Sequence, residues 1–156
     1  LELHDSFKPL KLYLSRQKVS RRKFLNGDEV HDFLSAHGYI SISPEEYSFF
    51  DIAHLIKYAS SIIGGNGAAM CNMISAPLSQ LSVGIIYPES HFDDYYFRVS
   101  QSLGHSFAGI LSEPNVAYHP LDQSIHNYYY PRISDDYQIC LERLDFLVSS
   151  LDSFVQ

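Results

Sequence analysis

Cysteine is scarce in this sequence, with Cys71 and Cys140 the only two among 156 residues. A pair that thin makes no disulfide framework, so the fold has to rest on its own core. Both are read as free, small core residues, which fits a cytosolic compartment. Long hydrophobic runs are also missing. None approaches the roughly 20 residues that a membrane span requires, and no signal peptide is visible. The chain opens Leu-Glu-Leu-His without a methionine, which reads as a fragment of a larger protein. Positive charge is nearly absent after residue 23, where only Lys57, Arg98, Arg132 and Arg143 remain. With a formal charge of −7, such a body lacks the cations that nucleic-acid binding needs. Metal-ligand spacing is missing too. There is no HExxH or paired Cys/His pattern, His31 and His37 stand too far apart to share a helix face, and His119, Asp122 and His126 fall in an irregular stretch.

The chain does have an apolar content of 46% and enough length for one domain with a substantial core, taken as residues 1–156. Short apolar runs alternate with helical periodicity. Residues 10–15 (LKLYLS) read as a buried strand. Residues 26–38 read as a helix with Val30, Phe33, Leu34 and His37 on one face and Gly38 as its stop, and 39–43 as a strand broken by Pro44. A second helix is expected over 48–60, capped by Ser48, with Ile52, Leu55, Ile56 and Ala59 inward. A strand over 61–65 follows, then a short helix from Gly67 that ends before Pro77. A strand over 80–87, a helix over 92–104 and a strand over 106–112 come next. Residues 113–133 carry no periodicity. The last helix is expected to run from a cap at Ser134 or Asp135, with Tyr137, Cys140, Leu141, Leu144, Leu147, Val148 and Leu151 along its apolar stripe. Alternation of this kind implies an α/β fold, a Rossmann-like parallel sheet flanked by helices. Such sheets take ligands at the carboxyl ends of their strands.

Two features fall at those ends. The basic stretch SRQKVSRRK follows the first strand, within a segment 1–23 that holds Lys8, Lys11, Arg16, Lys18, Arg21, Arg22 and Lys23. The run GGNGAAMCN follows the third strand. Gly64, Gly65 and Gly67 are expected to take left-handed backbone and to let a ligand approach the main chain. Ala68 and Ala69 would open a helix N-terminus whose unpaired N–H groups attract anions. Asn66 and Asn72 either reach a ligand or cap local backbone. No Gly-Lys-Ser/Thr makes this a Walker loop, and the third glycine of a dinucleotide fingerprint is missing. Elsewhere, Asp93 and Asp94 read as a helix-start pair favoured by the dipole. His54 reads as solvent-facing, Cys71 as a core thiol, and the tyrosines at 126–132 as packing or docking groups.

The combination of Ser15, Arg16, Arg21, Arg22, Asn26 and Glu29, then Ser48, Phe49 and Ala59, then Gly64, Gly67, Ala68, Ala69, Asn72 and Pro88 resembles the family 61 glycosyltransferases of capsular-polysaccharide type. The resemblance extends over residues 10–150. It implies an inverting, GT-B-like enzyme in polysaccharide biosynthesis, of which this chain is the C-terminal, donor-binding half. Its partners would be a nucleotide-sugar donor, a UDP-sugar by expectation, a saccharide acceptor and an N-terminal domain of the same chain. No separate cofactor and no metal are implied, and the setting would be the bacterial cytoplasm or inner membrane surface. Donor phosphates would meet Arg16 first, Arg21 and Arg22 second, and the turn at Asn66, Gly67, Ala68, Ala69 and Asn72. The catalytic base is unassigned. Against the family pattern, Asn66 replaces a histidine, Asp51-Ile52 replaces Glu-Gln, and no glutamate precedes Pro88. An inactive nucleotide-binding or scaffold domain of the same fold is the alternative. A dinucleotide-dependent epimerase or dehydrogenase is a further one.

Overall fold

The computed structural model describes residues 9–113 and 136–154. The readings placed on 126–132, on His119, Asp122 and His126, and on a cap at Ser134 or Asp135 lie outside the described residues. Five strands form an all-parallel sheet: β1 (Leu10–Leu14), β2 (Tyr39–Ile42), β3 (Ala59–Gly65), β4 (Ser82–Tyr87) and β5 (Ser106–Leu111), in the order β2-β1-β3-β4-β5. Four α-helices accompany them among the described residues: α1 (Gly27–Ala36), α2 (Phe49–Lys57), α3 (Tyr95–Ser102) and α4 (Leu141–Ser153). The expected Rossmann-like α/β architecture is therefore present.

Strand alternation sends neighbouring residues to opposite layers. Leu12, Leu14, Ile62, Val83 and Ile85 face Ile52 and Ile56 of α2 and Tyr96 of α3, together with Met70 and Met73. Tyr13, Tyr39, Ile63, Ile86 and Ile110 face Val30 and Leu34 of α1 and Leu144, Leu147, Val148 and Leu151 of α4. Both faces are covered, which is why β3 and β4 are buried along nearly their whole length. Gly84 belongs to the α4 side, where a Cβ would sit 2.8 Å from Leu151 Cδ1 and 3.0 Å from Ile63 Cγ1. Its missing side chain lets α4 lie close against β4.

Local signals set most boundaries. Gly38 has φ +81 just past α1 and serves as the expected stop. Ser48 caps α2 through a reciprocal box with Asp51. Three expectations are corrected. Ala59 is not the last residue on the α2 face but the first of β3, paired with Leu10, and the Leu10 N–H donates to Tyr58 O at 3.2 Å. The helix expected over 92–104 is trimmed to Tyr95–Ser102, since Asp93 binds the Tyr95 N–H from outside it. Tyr137 and Cys140 lie ahead of α4, which starts at Leu141. Tyr137 is instead drawn into a parallel bridge with Phe24. Sheet and bridge hydrogen bonds overrode helical periodicity at both points.

Candidate functional site

The strand order reverses between β1 and β3, the place where open α/β sheets leave a crevice at their carboxyl ends. Leu14 pairs with Gly64 there, and Gly65 with Ile86. Ser15 and Arg16 therefore run alongside Gly65, Asn66 and Gly67. The glycine turn leads into a 3₁₀ helix, Ala68–Ser75, longer than such helices usually run.

The glycines are not there for left-handed backbone. Positive φ among the glycines of the described residues occurs at Gly38 and Gly104, whereas Gly67 is extended at φ 177. They are there for close approach, and what approaches is the protein itself. A Cβ on Gly64 would lie 2.5 Å from Met70 Sδ, and one on Gly65 would lie 2.7 Å from Arg16 Cδ and 2.9 Å from Tyr137 Oη. A Cβ on Gly67 would overlap Arg16 Nη1. The turn is a cradle for Arg16, whose guanidinium stands at the mouth of the 3₁₀ helix.

Arg16 is half-buried. Its Nε donates to Arg22 O at 3.0 Å and its Nη2 to Arg21 O at 3.1 Å. Arg22 takes a left-handed φ of 56, and its Nη1 donates to Asn66 O at 3.0 Å. Burial, and in smaller part the charge of Arg22, pulls the Arg16 pKa below the ordinary arginine value. Neither guanidinium forms an ion pair with a carboxylate among the described residues. The two adjacent guanidiniums are held by neutral carbonyls, Arg16 by Arg21 O and Arg22 O and Arg22 by Asn66 O. Beside them the N–H groups of Gly67, Ala68 and Ala69 have no acceptor among the described residues, as the first turn of a helix leaves them.

The other expected residues divide. Arg21 is exposed; its carbonyl serves Arg16, and its guanidinium has no partner among the described residues. Asn66 is buried at 4% exposure, with its N–H on Ile86 O at 2.9 Å and its Nδ2 on Asp93 Oδ2 at 3.0 Å. Asn72 lies within the 3₁₀ helix and its Nδ2 donates to Ala69 O of the same helix at 2.8 Å. The acids at 93 and 94 sit ahead of α3 with separate tasks. Asp93 binds Asn66, the Tyr95 N–H and, at 3.5 Å, His91 Nε2, while Asp94 pairs with Arg98 at 2.7 Å. His54 is exposed, as its place on the polar face of α2 suggested. Cys71 is half-exposed at the start of the 3₁₀ helix. No group of three or more His, Cys, Asp or Glu able to hold a metal occurs among the described residues.

Tyr137 is the member of this site that the sequence did not suggest. Its ring packs edge-on against Phe24 at 5.3 Å, and its hydroxyl reaches the space above Gly65. Burial pushes its phenol pKa well up, partly offset by Arg16 and Arg22.

Fold and site together define a Rossmann-like α/β domain with two neighbouring guanidiniums, Arg16 and Arg22, at the switch point of its sheet. The sequence pattern of the glycosyltransferase 61 family matches residues 2–81, which takes in β1 through the 3₁₀ helix and hence Arg16, Arg22 and the glycine turn. The chain belongs to this family, and sugar transfer is its general activity. Asp93 and Tyr137 lie beyond the matched stretch. No curated protein matches the chain. No helix among the described residues is long and apolar enough to cross a membrane.

Proposed function

We propose that this domain holds the diphosphate of a nucleotide-sugar donor, a UDP-sugar, as the donor half of an inverting GT-B-like glycosyltransferase in polysaccharide biosynthesis. The observation that carries the reading is the pair Arg16 and Arg22, half-buried, without carboxylates, beside the unpaired N–H groups at 67–69. The Nη1 of Arg16, which has no acceptor among the described residues, is the edge turned toward Gly67. In the reaction an acceptor hydroxyl loses its proton to a base, and its oxygen bonds the anomeric carbon from the side opposite the leaving group. The anomeric C–O bond breaks, and its electron pair passes to the diphosphate. Charge growing on that leaving group is what Arg16, Arg22 and the backbone N–H groups stabilise. The base and the acceptor site would come from an N-terminal domain of the same chain.

One observation favours the alternative of a nucleotide-binding domain without turnover. Asn66 stands where the family pattern carries histidine, and its amide, bound to Asp93, has no proton to exchange at neutral pH. Calorimetric titration with UDP, GDP, CMP and NAD separates the readings, with Arg16→Ala as control. Saturable binding of UDP that is lost in Arg16→Ala is the expected result. Preference for NAD, or binding indifferent to Arg16, would refute the donor-site assignment. UDP affinity with no sugar transfer in full-length protein would select the inactive domain.

A further inference from the structure

The Asn26-x-x-Glu29 spacing plays no part in the chemistry above, and the structure gives it a different task. Asn26 stands at the N-cap of α1 without capping it. Its Nδ2 donates to Ile139 O at 2.9 Å, and its Oδ1 accepts the Ile139 N–H at 2.9 Å. Glu29 Oε2 accepts from the same Nδ2 at 3.1 Å, which fixes the amide orientation. The amide thus copies a strand neighbour for a residue 113 positions away.

Three more bonds close the same seam. The Lys23 N–H donates to Asp136 Oδ1 at 2.8 Å. The Tyr137 N–H donates to Lys23 O at 3.0 Å, and the Leu25 N–H to Tyr137 O at 2.9 Å. Lys23 is therefore held through both its N–H and its carbonyl, immediately after the two residues whose carbonyls hold Arg16. On the other side, Tyr137 Oη and Arg16 Cδ share the space that a side chain at 65 would fill. The seam holds the loop, and the Tyr137 hydroxyl, which donates to Ile86 O at 3.5 Å, occupies the space over Gly65 next to that taken by the arginine stem.

We propose that Asn26 and Tyr137 are positioning residues for Arg16, so that the segment just before α4 belongs to the anion site although it touches no ligand. The inference rests on reading that site as a diphosphate cradle. Its prediction is coupling. A residue that acts through Arg16 matters only while Arg16 is present, whereas one that merely stabilises the domain weakens binding in either background.

The experiment is a double-mutant cycle on the whole chain, titrated calorimetrically with UDP and with inorganic pyrophosphate, with folding checked by amide NMR. Asn26→Ala is expected to weaken both ligands about tenfold in the native background and less than about twofold beside Arg16→Ala. Tyr137→Phe keeps the ring and disturbs the fold least, and is expected to cost about threefold in affinity only when Arg16 is present. Equal losses in both backgrounds, or no loss in either variant, would overturn the inference while leaving the donor site standing. If the native protein binds neither ligand, the donor-site reading fails first and this inference falls with it.

Discussion

Alanine at position 67 separates the cradle from the fold that carries it. The Gly67 φ of 177 is extended, so alanine meets no backbone strain there. The three atoms nearest its Cβ would all belong to the guanidinium of Arg16, the far end of a flexible side chain. Arg16 can swing aside, giving up its bonds to Arg21 O and Arg22 O, which are partly solvent-exposed and together worth about 1–2 kcal/mol net. Loss of glycine freedom in the unfolded chain returns about 0.4–1 kcal/mol. The net change in stability should fall between about 0 and 1.6 kcal/mol, or a few degrees in Tm for a chain of this size. Anion binding should fall about tenfold or more, because the guanidinium has left its place and the methyl group covers the N–H groups. Gly65 is the contrasting control. A Cβ there faces Arg16 Cδ at 2.7 Å, Tyr137 Oη at 2.9 Å and Phe24 Cε1 at 3.2 Å together, and overpacking of that kind costs about 1–3 kcal/mol. Thermal melts and UDP titration of Gly67→Ala and Gly65→Ala decide the matter. A Gly67→Ala protein that binds UDP as tightly as the native one would refute the reasoning, and so would one destabilised more than Gly65→Ala.

Other consequences are tested separately. Ser48→Ala removes the capping box of α2, which should lower stability by about 1 kcal/mol with nucleotide affinity unchanged, as read by urea denaturation. Leu147→Ala empties a site that is fully buried between α4 and the sheet, at an expected 2–5 kcal/mol by the same assay. His105 is buried with Nδ1 unpartnered, and burial lowers its pKa below the ordinary 6.5. The unfolded chain therefore binds more protons than the native one below that value, so the His105 contribution is intact above about pH 6.5 and is lost as pH falls toward the depressed native pKa. Denaturation midpoints measured from pH 7.5 down to 5 should decline, and His105→Gln should flatten that decline.

The sequence carried the architecture because local signals and burial agreed in most elements. Val30 and Leu34 spaced one turn apart, Gly38 after α1, Ser48 before α2, and the short apolar pairs Ile62-Ile63 in β3 and Ile85-Ile86 in β4 each point to the element that forms. Agreement failed where a distant partner decided. Ala59 continues the α2 stripe in sequence, yet pairing with Leu10 takes it into β3. Tyr137 and Cys140 continue the α4 stripe, yet the seam with Lys23, Leu25 and Asn26 holds Tyr137 out of the helix. The site shows the same division. Arg16, Arg22 and the glycine turn could be placed at the carboxyl ends of the strands because they follow the first and third strands in the chain. That the glycines accommodate Arg16, rather than a positive φ, depends on side-chain positions that spacing does not encode. Asn66 and Asn72 are the same residue type six positions apart, and only the structure shows one bound to Asp93 and the other to its own helix. The contribution of Tyr137 had no sequence signal, because the seam that brings it to the site joins residues more than a hundred positions apart.

Whether an anion seats at the mouth of the 3₁₀ helix between Arg16 and Arg22 is decided by amide NMR of the protein under titration with UDP. Saturable shifts are expected at the N–H groups of Gly67, Ala68 and Ala69 and at the Nε of Arg16 and Arg22, with Gly38 at the far end of α1 unmoved. Saturable UDP binding that leaves those three amides where they were would contradict that seating.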